Sequence, residues 1–168
     1  MIFTEVANMS LRATRIEMPA STREQVVTLL NQRVAEVTDV WMQIKLAHWN
    51  VRGPHFQAYH TLFDTLADHL LEAQDALAER AATLGGEAGM PLGQMAQMAN
   101  GPTWPMGVRQ DRQVIILVAD RLSHIANRIR QDIDETAAWG DAGTADLLTE
   151  ISRQLDHDLW LVEAHGEA

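Results

Sequence analysis

The chain of 168 residues contains no cysteine. That excludes a disulfide framework, a zinc–thiolate centre, an iron–sulfur cluster and a cysteine nucleophile. Lysine is almost as scarce. Of 13 basic residues only Lys45 is a lysine, against 23 acids and a formal net charge of −10. A basic nucleic-acid-binding face on the folded body is therefore not expected. No apolar run reaches the roughly 18 residues a membrane span requires. The first twenty residues lack the basic start and apolar block of a secretory signal. Glycine and proline are also few, at 10 and 5, and hydrophobic residues make up 46% of the chain. These features predict a soluble, intracellular, acidic protein with a single packed domain.

The breakers that do occur are clustered. Residues 85–107 hold six glycines and three prolines, and smaller breaks fall at Gly53-Pro54 and from Trp139 to Gly143. The long stretches between them predict an all-α chain with four main helices, and no strand-like alternation competes. The first helix is expected over about 22–50, opened by a capping box of Ser21 and Glu24. Val27, Leu30, Val34, Val37, Trp41 and Ile44 step alternately by three and four, an unbroken apolar seam. The next position on that seam is His48, which turns a histidine inward. The second helix is expected from Pro54 to Leu84, with Gly85-Gly86 supplying a left-handed cap. Its seam is Phe56, Tyr59, Phe63, Leu66, Leu70, Ala73 and Leu77. Two more helices are expected over about 108–138 and 144–164, with a short one near 90–99 in the long connector. Met90, Met95, Met98 and Met106 in that region read as packing residues before a soft-metal cluster. A four-helix bundle with one long crossover and a short extra helix is the ferritin-like arrangement.

The second helix has another face. His60, Asp64, Asp75 and Glu79 fall in one stripe, shared with Ala67, Asp68, Leu71, Ala78 and Ala82. Acids mixed with small and apolar residues suit a contact surface holding a polar site better than a solvated face. His60 with Asp64, and Asp75 with Glu79, are spaced to share a ligand. The two pairs nevertheless lie about 22 Å apart along one helix, too far to close on one ion. An antiparallel copy of the helix brings them together. His60 opposite Glu79 and Asp64 opposite Asp75 both centre on one point between His69 and Leu70. The spacing therefore predicts two identical sites at an isologous dimer interface, with His48 joining the first pair. Taken singly, each pair reads as a surface hydrogen bond or a solvated helix face, and His48 as a core histidine.

Two imidazoles and three carboxylates suit a divalent transition metal such as Fe²⁺ or Mn²⁺, and carboxylate-rich ligation favours Fe³⁺ over Fe²⁺. None of the eleven glutamates is followed three residues later by histidine. A di-iron centre in the middle of one bundle, built from Glu-x-x-His motifs, is thereby disfavoured.

The run His48-Trp49-Asn50-Val51-Arg52-Gly53-Pro54-His55-Phe56, followed by His60, Asp64, Asp75, Ala78-Glu79-Arg80-Ala81 and Leu84-Gly85-Gly86, resembles the Dps family. These are the mini-ferritins, DNA-binding proteins from starved cells. Residues 144–149 and 155–160 resemble the family's last helix, and the match spans roughly 24–163. The resemblance implies a mobile N-terminal tail over 1–20 and one ferritin-like domain over 21–168. It implies a hollow twelve-subunit cytoplasmic shell with a ferroxidase centre at each two-fold interface. His48, His60 and Asp64 would come from one subunit, and Asp75 and Glu79 from its neighbour. The resemblance also implies oxidation of Fe²⁺ by hydrogen peroxide and storage of the ferric product. Trp49 resembles the family tryptophan beside the centre, a candidate quencher of one-electron oxidants or simply a packing residue. Asp146, with Asp141 second, resembles the acids of the three-fold pores, although Asp146 equally suits a helix N-terminus.

The family name implies DNA binding, and here the sequence departs from the pattern. Arg12 and Arg15 are the cations of a tail that has no lysine and carries Glu5 and Glu17. Two other readings stand beside iron oxidation: a nucleoid-compacting protein whose shell is mainly architectural, and a plain helical scaffold whose acids stabilise a dimer.

Overall fold

A computed structural model of the chain describes residues 11–166. Five helices follow in order: α1 Ala20–Asn50, α2 Phe56–Thr83, α3 Leu92–Met98, α4 Asp111–Ala138 and α5 Ala142–Gly166. No strand occurs among the described residues, and one isolated bridge joins Arg52 to Gln110. The helices α1 and α2 form one hairpin and α4 and α5 another. The two hairpins pack with α1 beside α4 and α2 beside α5, while α3 lies against α1.

The apolar seams meet in the centre. Val27, Leu30, Val34, Val37 and Ile44 of α1 are buried against Tyr59, Phe63, Leu66, Leu70 and Leu77 of α2. Ile115, Val118, Leu122, Ile125 and Ile129 of α4 and Leu148, Ile151, Leu155 and Val162 of α5 complete the core. Trp41, Ile133 and Leu159 sit at its edge. Phe56, expected on the α2 seam, is instead 37% exposed. It sits at the margin of the apolar stripe, and its ring stacks on His60 instead.

Three helix ends differ from expectation or explain themselves. The α1 helix starts at Ala20 behind Pro19, so Ser21 lies inside it and no side chain caps it. The Pro19 carbonyl accepts from the Arg23 amide at 3.1 Å, and the proline, with no N–H of its own, leaves one fewer donor to satisfy. The α2 helix starts two residues after Pro54 because its capping acceptor comes from another helix. The Asp111 carboxylate accepts from the His55 amide at 3.0 Å and the His55 ring at 2.9 Å. Those bonds, the backbone one foremost, hold the Asp111 carboxyl below its usual range. At the other end of α2, Gly85 takes φ +92°. The amides of Gly86 and Gly85 return to the carbonyls of Ala81 and Ala82, each at 3.0 Å, as the glycine pair predicts.

The chain before α1 is laid on that same helix end. Leu11 and Met18 pack against the core. The Arg12 amide donates to the Gly85 carbonyl at 2.7 Å, and its guanidinium to the Ala82 carbonyl at 3.0 Å. Arg23 donates to the Leu84 carbonyl at 2.9 Å. A Cβ on Gly85 would stand 2.6 Å from the Arg12 carbonyl oxygen, so the close approach itself needs glycine. The rest of the predicted tail, residues 1–10 with Glu5, lies outside the described residues.

Candidate metal centre

The short turn between α1 and α2 brings His48, at the end of one helix, against His60, in the second turn of the next. Their rings stack with centroids 3.7 Å apart and planes 17° from parallel. The His48 Nδ1 donates to the His60 carbonyl at 2.7 Å, and the His60 Nδ1 donates to the His48 carbonyl at 2.9 Å. A carbonyl oxygen only accepts, so both protons reside on Nδ1. With Nδ1 committed to a carbonyl, Nε2 is the nitrogen each ring has left to face a metal ion. Phe56 stacks on the outer side of His60 at 5.1 Å.

Asp64, one turn beyond His60, joins them. Its Oδ1 lies 3.8 Å from the His48 Nε2. The same oxygen accepts a hydrogen bond from the Lys45 ammonium at 2.7 Å. That bond, reinforced by the lysine charge, holds the Asp64 carboxyl below its usual range against the opposing effect of burial. The structure thus gathers His48, His60 and Asp64 into one cluster. Asp75 and Glu79 are exposed further along α2 and are not brought to it. Among the described residues, no group of three or more histidines and carboxylates is placed to hold a metal ion within one chain.

Trp49, next to His48, is 52% exposed, and elsewhere on these two helices Met42 is 41% and Leu71 40% exposed. Trp49 is therefore not packed into the chain's own core, and its ring centroid lies 5.8 Å from the Lys45 ammonium. Ala67, assigned above to the outward stripe, is buried in the chain's own core, because it sits on the flank of the seam beside Leu66. Asp68 and Leu71 remain exposed.

Asp146 is exposed near the start of α5. Asp141 is 1% exposed and fully engaged. It caps α5 by accepting from the Thr144 amide at 3.0 Å and from the Thr144 hydroxyl, and it accepts from Arg80 at 2.8 Å. In this chain Asp141 thus serves the start of α5 and its tie to α2. Of the methionines, Met95 packs against the core and Met106 is exposed.

The sequence reading missed two residues at these places. In the sequence Lys45 stands out only as a rarity, although it lies one turn before His48 and Trp49 on the same helix. Arg12 reads as a tail cation, and nothing local in the sequence announces its attachment to α2.

A four-helix bundle with a long crossover is a ferritin-like architecture. The ferritin-like domain family profile matches residues 27–167. The DNA protection during starvation protein of Agrobacterium fabrum is 35% identical over 157 residues, covering 94% of this chain and 97% of that protein. DpsC from Streptomyces coelicolor superposes with a TM-score of 0.87 at 29% identity, over 93% of this chain and 91% of that one. The archaeal Dps homologue from Halobacterium salinarum superposes with a TM-score of 0.88 at 27% identity, over 98% and 91%. The chain belongs to the Dps family, the mini-ferritin branch of the ferritin-like proteins. No described helix is long and apolar enough to cross a membrane.

Proposed function

We propose that this protein is a ferroxidase and iron store of the cytoplasm. It oxidises Fe²⁺ with hydrogen peroxide at centres shared between two subunits and keeps the ferric product inside a closed shell, twelve subunits being the family arrangement. The observation that carries the reading is the reciprocal histidine lock, which leaves two imidazole lone pairs free beside an ionised carboxylate. His48, His60 and Asp64 supply one half of the centre. Asp75 and Glu79 of an antiparallel neighbour supply the other, in the register that the sequence spacing defines. Imidazole holds the ferrous ion, and the added carboxylates favour the ferric one. Two ferrous ions each give one electron to one peroxide, which leaves as water or hydroxide rather than as hydroxyl radical. That pairing suits a relative named for protecting DNA. Trp49, exposed beside the cluster, is placed to intercept an oxidant that escapes. Asp146 is the acid proposed to draw iron toward a pore.

The decisive experiment loads the protein with Fe²⁺ under anaerobic conditions and then adds peroxide. Rapid growth of ferric absorbance, with the mineral eluting together with a large particle, is the expected result. Precipitation of iron apart from the protein would refute the proposal.

Arg12 bears on the competing nucleoid-compacting reading. Each phosphate contact needs a cation, and one of the two tail arginines is already bound to carbonyls at the end of α2. The net charge of −10 per chain opposes the remainder. Binding to duplex DNA is expected at low ionic strength only, and a gel-shift titration across salt concentrations tests it. Salt-tolerant retention of plasmid, lost on deleting residues 1–20, would favour the nucleoid reading instead.

A further inference from the structure

The turn between α1 and α2 sets how His48 meets His60, and the start of α4 holds that turn. Residues 51–55 are all that separates the two helices, and Gly53 among them takes φ +140°, a conformation that favours glycine. The Asp111 side chain, at the first residue of α4, is 6% exposed and lies on this turn. Its carboxylate accepts from the His55 amide at 3.0 Å and the His55 ring at 2.9 Å. One further bond, from the Arg112 amide at 2.8 Å, serves its own helix. Two main-chain bonds complete the clasp. The Arg52 amide donates to the Arg109 carbonyl at 2.7 Å, and the Asp111 amide to the Arg52 carbonyl at 2.9 Å. A Cβ on Gly53 would stand 2.5 Å from the Asp111 carboxyl carbon, so only glycine permits the approach.

We infer that Asp111 is a positioning residue, which acts through the His55 amide to hold the start of α2 against the end of α1. The inference rests on the metal-binding reading proposed above. His60 is the fifth residue of α2, and its ring reaches the His48 carbonyl only while the first turn stays wound. A helix begins with amides that have no partner inside it. Asp111 supplies an acceptor at that point, and negative charge suits a helix N-terminus. His55 also stacks on Tyr59 with ring centroids 5.6 Å apart, and Tyr59 is buried in the core. A line of contacts therefore runs from α4 through His55 to the residue that precedes His60. Without the carboxylate the turn unwinds part of the time, and His60 then leaves His48. Apparent affinity falls with the fraction of molecules in which a site is formed. Asp111 thus governs how often the half-site is in place, although its bonds go to His55 and Arg112 and not to a proposed ligand.

The test uses Co²⁺, which binds without being oxidised and reports its ligands by visible absorption. It compares the parent protein with D111A, D111N, N31A and the double variant H60A/D64A, each first checked for folding and assembly. N31A is the control for a purely structural loss. Asn31 is 4% exposed and bonds the Glu87 carbonyl and the Gly89 amide, about 25 Å from His48 along α1. D111A weakens Co²⁺ binding about tenfold, the scale on which partners behind a ligand act. D111N, whose one remaining carbonyl oxygen still accepts from an amide, loses about threefold and carries the comparison should D111A fail to assemble. N31A melts at a lower temperature yet binds Co²⁺ as the parent does. In the metal-free protein, amide exchange over residues 55–60 quickens in D111A and D111N but not in N31A. Parent affinity in the Asp111 variants, unchanged exchange over 55–60, or an equal loss of affinity in N31A would each overturn the role of Asp111, while loss of binding in H60A/D64A upheld the site itself. Binding by the parent that persists in H60A/D64A, or no Co²⁺ bound by any form, would overturn the site and the Asp111 inference together.

Discussion

The double variant H60A/D64A loses rapid iron oxidation, with initial rates at least 100-fold below the parent, while remaining helical and assembled. His60 and Asp64 are two of the three ligands proposed for one chain, and Asp64 is the only carboxylate among them. Even partners that merely orient a ligand are worth ten- to a hundredfold in metal affinity or activity, and removal of two ligands costs more. Folding is spared because both side chains stand outside the α2 seam of Tyr59, Phe63, Leu66 and Leu70. Loss of the His60 Nδ1 leaves the His48 carbonyl without that donor, but at the exposed end of α1 water can replace it. Stopped-flow absorbance after peroxide addition gives the rate, and sedimentation gives the assembly state. Rates within threefold of the parent would show that these residues are not the ligands.

The second large effect concerns assembly. L71E breaks the two-fold dimer, and iron oxidation disappears with it. Leu71 is 40% exposed on the outer face of α2 and lies one residue from the point about which the two ligand pairs are symmetric. In that register it faces Asp68 of the partner subunit. A glutamate there buries a charge against a like charge, and the two-fold axis repeats the conflict. Like-charge juxtaposition at an interface costs several kcal/mol, enough to release subunits at micromolar concentration. L71M, which keeps size and apolar character, assembles normally. Sedimentation velocity separates the outcomes, and an intact, active L71E particle would show that α2 does not pair about this point.

Much of the architecture is legible in the sequence because it depends on periodicity, which is local. The apolar steps of α1 and α2 predict which residues are buried, and Gly85-Gly86 marks a helix end that the structure closes as expected. The failures are at places where the partner is distant in sequence. The α1 helix is opened by Pro19 rather than Ser21, and α2 is capped by Asp111, more than fifty residues away. Arg12 reaches across seventy residues to Ala82. No window of sequence contains both members of such pairs. The candidate site divides in the same way. His48, His60 and Asp64 are recognisable because their spacing is helical and the hairpin between them is short. Lys45 escaped notice because a lysine before a histidine is unremarkable until its ammonium is seen on Asp64. Phe56 and Ala67 show the angular limit of the method. Each sits at the margin of its stripe, where a small rotation decides between core and surface.

The reciprocal bonds between His48 and His60 constrain which residues evolution or design can place there. Each ring is a donor to the other's backbone before it is a ligand to anything. Aspartate or glutamate would also bind a divalent ion, yet a carboxylate offers no N–H and would set an acceptor against a carbonyl. Glutamine could donate the bond but has no imidazole lone pair to give the metal. Imidazole alone meets both demands, one nitrogen holding the turn and the other left for the ion. The nitrogen content of the proposed site is thus set by the folding of the hairpin as well as by any preference of a metal. A redesign toward an all-oxygen site would have to rebuild the turn first.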